Sequence, residues 1–135
     1  TDFQDRTFTI HQTKNGDAHI LPMSDYIYKL LYERKQKTKS DYVFPGPGRE
    51  GYLAEPKKAI YKVTSSSGVC FTCHDLRRTF ITIAEGLDLP YYALKRLINH
   101  RVHDVTSGYI VMDVNRLREP TQKIADFILE QVKNA

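Results

Sequence analysis

The chain has 135 residues and a mass of 15.6 kDa, with 41% hydrophobic and 27% charged side chains. That is the make-up of one soluble globular domain, which excludes a disordered class. No apolar run approaches the roughly 20 residues of a membrane helix, and the start, TDFQDRTFTI, lacks the basic and apolar regions of a signal peptide. Two cysteines, Cys70 and Cys73, are too few for a disulfide-built fold and fit a reducing cytoplasm. Twenty Lys and Arg against sixteen Asp and Glu give +4 and a pI near 9.0, which permits a nucleic-acid partner without demonstrating one. A start at Thr1 and not Met reads as a processed chain or an excised piece.

Residues 6–12, RTFTIHQ, alternate in polarity and read as a strand. Asn15-Gly16 is a hairpin signal because both residues tolerate positive φ, and AHILP at 18–22 supplies the return, ended by Pro22. Ser24 is a good N-cap for DYIYKLLYERKQK, where Ile27, Leu30, Leu31 and Arg34 form a packing stripe. PGPGREGYLAEP is too rich in proline and glycine for a regular element, so 38–55 reads as a loop. Pro56 opens a helix through Ile60 and Val63, closed by Ser65-Ser66-Ser67-Gly68. The spacing predicts a helix over 75–85 with His74 at its N-cap, a stripe of Leu76, Phe80, Ile83 and Ala84, and Gly86 as its cap. Pro90 starts another, with Ala93, Leu94, Leu97 and Ile98 inward, and a last helix over 114–132 carries Pro120 as a break or kink. The fold class expected is α+β, mainly α: a small N-terminal β-hairpin followed by a helical bundle.

The densest polar cluster is Cys70-Phe71-Thr72-Cys73-His74-Asp75-Leu76-Arg77-Arg78-Thr79. Its CxxC followed by His resembles half of a zinc site, with His100 or His103 as further ligands. There is no second CxxC and no His pair at finger spacing, so the preferred reading makes both cysteines small buried groups leading into the helix. His74 and Arg77, at i and i+3, share a helix face near its positive end, a suitable place for an anion. The plainer alternative is a capping histidine beside a surface arginine. The second cluster runs from Leu97 to Ile110. Asn99 is a candidate left-handed cap, His100 lies at the helix exit, and Tyr109 follows nine positions later. Taken singly, Tyr109 is one of nine tyrosines that could simply pack against a neighbour.

Taken together, HDLRRT at 74–79, LINH at 97–100 and GYI at 108–110 resemble the signature of the tyrosine recombinases, the phage integrase family. Its usual form is H-x-L-R-H/R-T, then L-G-H, then a tyrosine nine positions on. QTKNGDAHILPMS is similar to the family's hairpin, in which a lysine precedes the turn. The resemblance covers nearly the whole chain and departs from the family twice. Asn99 stands where glycine is usual, a tolerable exchange because asparagine is the next-best left-handed residue. The family's first catalytic arginine, in a G-x-R-x-x-E stretch, has no counterpart, and Arg6 is not that residue. Residues 1–135 are therefore expected to form the C-terminal part of a catalytic domain, poorly active alone, without the family's N-terminal DNA-binding domains.

The resemblance implies attack of Tyr109 on a DNA phosphodiester, a 3′-phosphotyrosyl intermediate, strand exchange and religation. It gives His74 the role of base, Arg77 and His100 that of phosphate donors, and Lys14 that of general acid. It implies no cofactor and no metal, double-stranded DNA as partner, and a dimer or tetramer on DNA. Arg78, Arg101 and His103 are candidate DNA-backbone contacts. Lys57, Lys58, Lys95 and Arg96 are weaker ones that otherwise read as wet helix faces. Two alternatives stand beside it: a non-catalytic helix-turn-helix module built from the helices at 75–85 and 90–98, and a type IB topoisomerase. The final helix could dock on a neighbouring protomer or on its own core.

Overall fold

A computed structural model describes residues 1–11, 13, 16–100 and 113–134. In chain order it contains β1 (Thr7–Ile10), β2 (His19–Pro22), α1 (Asp25–Lys37), α2 (Lys57–Ser67), α3 (Cys73–Gly86), α4 (Tyr91–Leu97), a 3₁₀ turn (Val114–Leu117) and α5 (Arg118–Lys133). The architecture is α+β and mainly helical, as the residue pattern predicts.

β1 and β2 pair antiparallel, with Thr7 opposite Pro22 and Ile10 opposite His19. The ladder is shorter than the sequence pattern suggests. Gly16 takes φ +83° and donates its N–H to the Thr13 carbonyl at 3.0 Å. Asn15, half of the expected Asn15-Gly16 corner, lies outside the described residues.

The core lies where α3, α4 and α5 meet. Ala84, Leu94, Ile98 and Ile124 are its buried members, with Phe80, Ile81 and Leu97 packed around them. The hairpin joins this body through β2 and the 3₁₀ turn, where Leu117 is 1% exposed. Two polar ties fasten the N-terminal region to α5: the Asp25 amide donates to Gln122 at 2.9 Å, and Arg118 donates to the Asp5 carbonyl at 2.8 Å.

Several expectations are corrected by local physics. Ser24 does cap α1, accepting from the Ile27 amide, yet α1 has no buried residue and Leu30 stays half exposed. Arg34 leaves the expected packing stripe, placing its guanidinium over Phe44 and donating to the Val43 carbonyl of the following loop. The close of α2 stands as expected: it ends at Ser67 with Gly68 as its cap at φ +71°, while the Ser66 and Ser67 hydroxyls donate back to the Lys62 and Val63 carbonyls. Gly86 is the last helical residue of α3 and not its left-handed cap, a conformation Asp88 adopts at φ 51°. Pro120 sits in the first turn of α5, where the amide it lacks has no helical partner to lose, so no kink is needed. The change of geometry comes at the 3₁₀-to-α junction before it.

Candidate functional site

The site begins with the way α3 starts. Thr72, and not His74, is the N-cap. Its hydroxyl accepts the Asp75 amide at 3.3 Å, while the Asp75 carboxylate accepts the Thr72 amide at 2.9 Å and the Thr72 hydroxyl at 2.7 Å. This reciprocal pairing starts the helix two residues earlier than expected and places His74 in its first turn. The same hydrogen bonds to Thr72 hold the Asp75 carboxyl below its ordinary range, with smaller contributions from Arg78 and His74. The T-x-x-D spacing is visible in the sequence and would have located this start.

One turn after His74, on the same face by its i, i+3 spacing, comes Arg77. Its Nη2 donates to the Ile98 carbonyl at 2.6 Å, a bond that spans 21 residues and joins α3 to the exit of α4. Ile98 is itself held in the core at 9% exposed, so the anchor is a rigid one. A guanidinium has five N–H donors. One bond to a carbonyl fixes its plane and leaves a fork of donors for an anion.

The exit of α4 has a defined geometry. Asn99 adopts φ 52° and donates its amide to the Arg96 carbonyl at 3.0 Å, and His100 donates its amide to the Lys95 carbonyl at 2.9 Å. These two bonds are those of a Schellman motif, with Asn99 in the position usually held by glycine. The left-handed residue turns the chain sharply, so His100 leaves the helix from an exposed position next to the carbonyl that holds Arg77. Arg77 and the His100 segment are thus brought together from two helices, and His74 shares the Arg77 face of α3.

Other candidates divide differently. Lys14, Arg101, His103 and Tyr109 lie outside the described residues. Arg78 is exposed and 3.7 Å from the Asp75 carboxylate, on a side of the helix away from Arg77. Cys70 and Cys73 are both exposed free thiols, which overturns their reading as buried groups. Among the described residues no three His, Cys, Asp or Glu side chains are grouped as metal ligands would be. Lys57 pairs with Glu55 at 2.6 Å, and Lys95 lies over the Tyr91 ring.

Beside Arg77 a mostly apolar cleft of about 320 Å³ opens between the hairpin, α1, α3 and α4, lined by Phe8, Leu21, Ile27, Phe80 and Leu97. Two groups near the site were missed from sequence. One is the Ile98 carbonyl, a backbone atom that no residue pattern marks. The other is His19, 2% exposed on β2, whose alternation with Leu21 already placed it on the inward face.

The phage integrase family profile matches residues 1–116 of the chain. A prophage integrase of Escherichia coli strain K12, IntF, is 26% identical over 137 aligned residues, which cover 96% of this chain and 29% of that protein. The chain therefore spans less than a third of that relative's length. No solved structure matches it at comparable significance.

Proposed function

The chain belongs to the phage integrase family, and on that premise we propose that it carries the nucleophile and most of the phosphate-binding groups of a site-specific DNA recombinase. The family implies DNA binding, and no described helix is long and apolar enough to cross a membrane. In the proposed reaction the Tyr109 hydroxyl attacks a DNA phosphorus, a P–O bond forms to the phenolic oxygen, and the bond to the 5′-oxygen breaks. The phenolic proton passes to His74, and the departing 5′-oxygen takes a proton from Lys14. Reversal with a different 5′-hydroxyl rejoins the strands without external energy, because the phosphotyrosyl link conserves the phosphodiester.

Physical chemistry accounts for this set of residues. A phenol with a pKa of about 10 is ionised only about once in a thousand molecules at neutral pH, so attack needs a base and a cationic setting. Negative charge gathers on the non-bridging oxygens as the phosphorus becomes pentacoordinate. A fixed guanidinium and an imidazole donor meet that charge without reorganising. The observation that supports the reading is the bond from Arg77 to the Ile98 carbonyl, two residues before His100.

The test uses protein expressed from the complete reading frame that encodes this chain, incubated with randomised duplexes that each bear one nick. The proposal predicts a covalent protein–DNA band on a denaturing gel that Tyr109→Phe abolishes. Its absence would favour a binding module built on α3 and α4. Relaxation of supercoils without site preference would favour a topoisomerase. A dimer or tetramer assembled on DNA is part of the proposal and is read from the mass of the complex.

A further inference from the structure

His19 is 2% exposed, and neither ring nitrogen makes a hydrogen bond of regular geometry among the described residues. Buried polar groups are almost always paired, so an exception calls for a reason. The register supplies the surroundings. His19 pairs with Ile10 across the hairpin and lies on the same face of β2 as Leu21, which lines the Arg77 cleft. Its neighbours on α4 are Arg96 and the Leu97 backbone, the last turn before the Ile98 carbonyl that holds Arg77.

We propose that His19 is a positioning residue: its buried imidazole seats the hairpin against the exit of α4 and so fixes the 96–100 segment that anchors Arg77 and presents His100. Arg96 is the charge that acts on it from α4, and β1 presents the uncharged Ile10. The 3₁₀ turn packed on β2 has one charged side chain, Arg116, which is exposed. A proton on this ring would sit without water and beside a guanidinium. Burial, and then Arg96, depress its pKa below 6.5, while the Leu97 backbone acts in the opposite sense. Acidification is therefore expected to unseat the hairpin and move the α4 exit with it.

The inference rests on the proposed function only in treating Arg77 and His100 as the groups that matter, and its test needs no DNA, so either can fail alone. The chain is titrated from pH 8 downward by NMR, following the ring of each histidine, the Leu97 and Ile98 amides and the Arg77 Nε–H. The expected result is a His19 midpoint below 6.5, with Leu97, Ile98 and Arg77 reporting the same midpoint. In His19→Phe those three reporters lose that midpoint. The proposal is overturned if the reporters follow His74 or His100 instead, if they do not move, or if their transition persists in the Phe variant. Should that variant fail to fold, His19→Gln, polar but not titrating, gives the same comparison.

Discussion

Replacing Thr72 by alanine removes the cap on which the geometry of His74 and Arg77 depends. Two bonds disappear, from the Asp75 amide at 3.3 Å and to the Asp75 carboxylate at 2.7 Å, while the Thr72 amide keeps its bond to the carboxylate at 2.9 Å. The Asp75 amide then keeps only its bond to the Thr72 carbonyl at 3.1 Å, and loss of such a cap costs about 1 kcal/mol. With an unfolding entropy of about 2.1 cal/mol/K per residue, that loss lowers Tm by roughly 3–4 °C for a chain of this size. Far-UV circular dichroism melts at pH 7 provide the assay, with Thr72→Ser as the control that keeps the hydroxyl. The sign of the pH dependence follows from Asp75, whose folded pKa is depressed chiefly by its hydrogen bonds to Thr72. Its stabilising effect is complete above the unfolded value of about 3.9 and is lost as pH falls through the lower folded one. The difference between parent and Thr72→Ala should therefore hold from pH 7 to about 5 and shrink below about 4. Equal melting of Thr72→Ala, Thr72→Ser and parent at pH 7 would refute the reasoning.

Three further outcomes are expected. Arg77→Lys, in protein from the complete reading frame, keeps the charge but not the fork, so its ammonium must choose between the Ile98 carbonyl and a phosphate; single-turnover cleavage should fall by about 10²–10³, as for other lost fixed donors, and an unchanged rate contradicts the assigned role. Gly46→Ala would place a methyl 2.3 Å from the Tyr52 carbonyl oxygen, opening the Pro45–Tyr52 bridge; faster proteolysis within 38–55 than in the parent is the readout. Ile124→Ala, at 2% exposed in the shared core of α3, α4 and α5, should cost about 2–5 kcal/mol in urea unfolding, and a loss below about 1 kcal/mol would mean that the core is not where the structure puts it.

The order of elements was legible because each has a local cause. Ser24 before an amphipathic run, Pro90 at a helix start and Asn99 after an apolar turn all act within a few residues of themselves. The burial of α1 was not legible. Periodicity identifies an apolar face but not whether the chain has anything to lay against it, and Leu30 and Leu76 remain about half exposed. Cys70 and Cys73 were misread for a related reason, as cysteine's usual preference for interiors says nothing about a segment that no described residue covers. Gly86 failed as a cap because Asp88, two residues on, could take the left-handed angle instead, and competition between adjacent candidates is settled by packing.

Within the candidate site, the motif spacing singled out His74, Arg77 and His100, and the structure ties Arg77 to the Ile98 carbonyl two residues before His100. The spacing could not find the Ile98 carbonyl, which acts through its backbone, nor weigh His19, whose burial arises from long-range docking of the hairpin. Asn99 shows the reverse case, where a departure from the family pattern was readable as a geometric equivalent, and φ 52° bears this out.

The central claim concerns one bond, from a phenolic oxygen to a DNA phosphorus. The covalent adduct formed by protein from the complete reading frame should be digested with nuclease and protease, and the modified peptide sequenced by mass spectrometry. The account predicts a nucleotide joined through its 3′-phosphate to Tyr109, with a free 5′-hydroxyl on the released strand. A nucleotide carried by any of the other eight tyrosines, by a serine, or through a 5′-phosphate would contradict it.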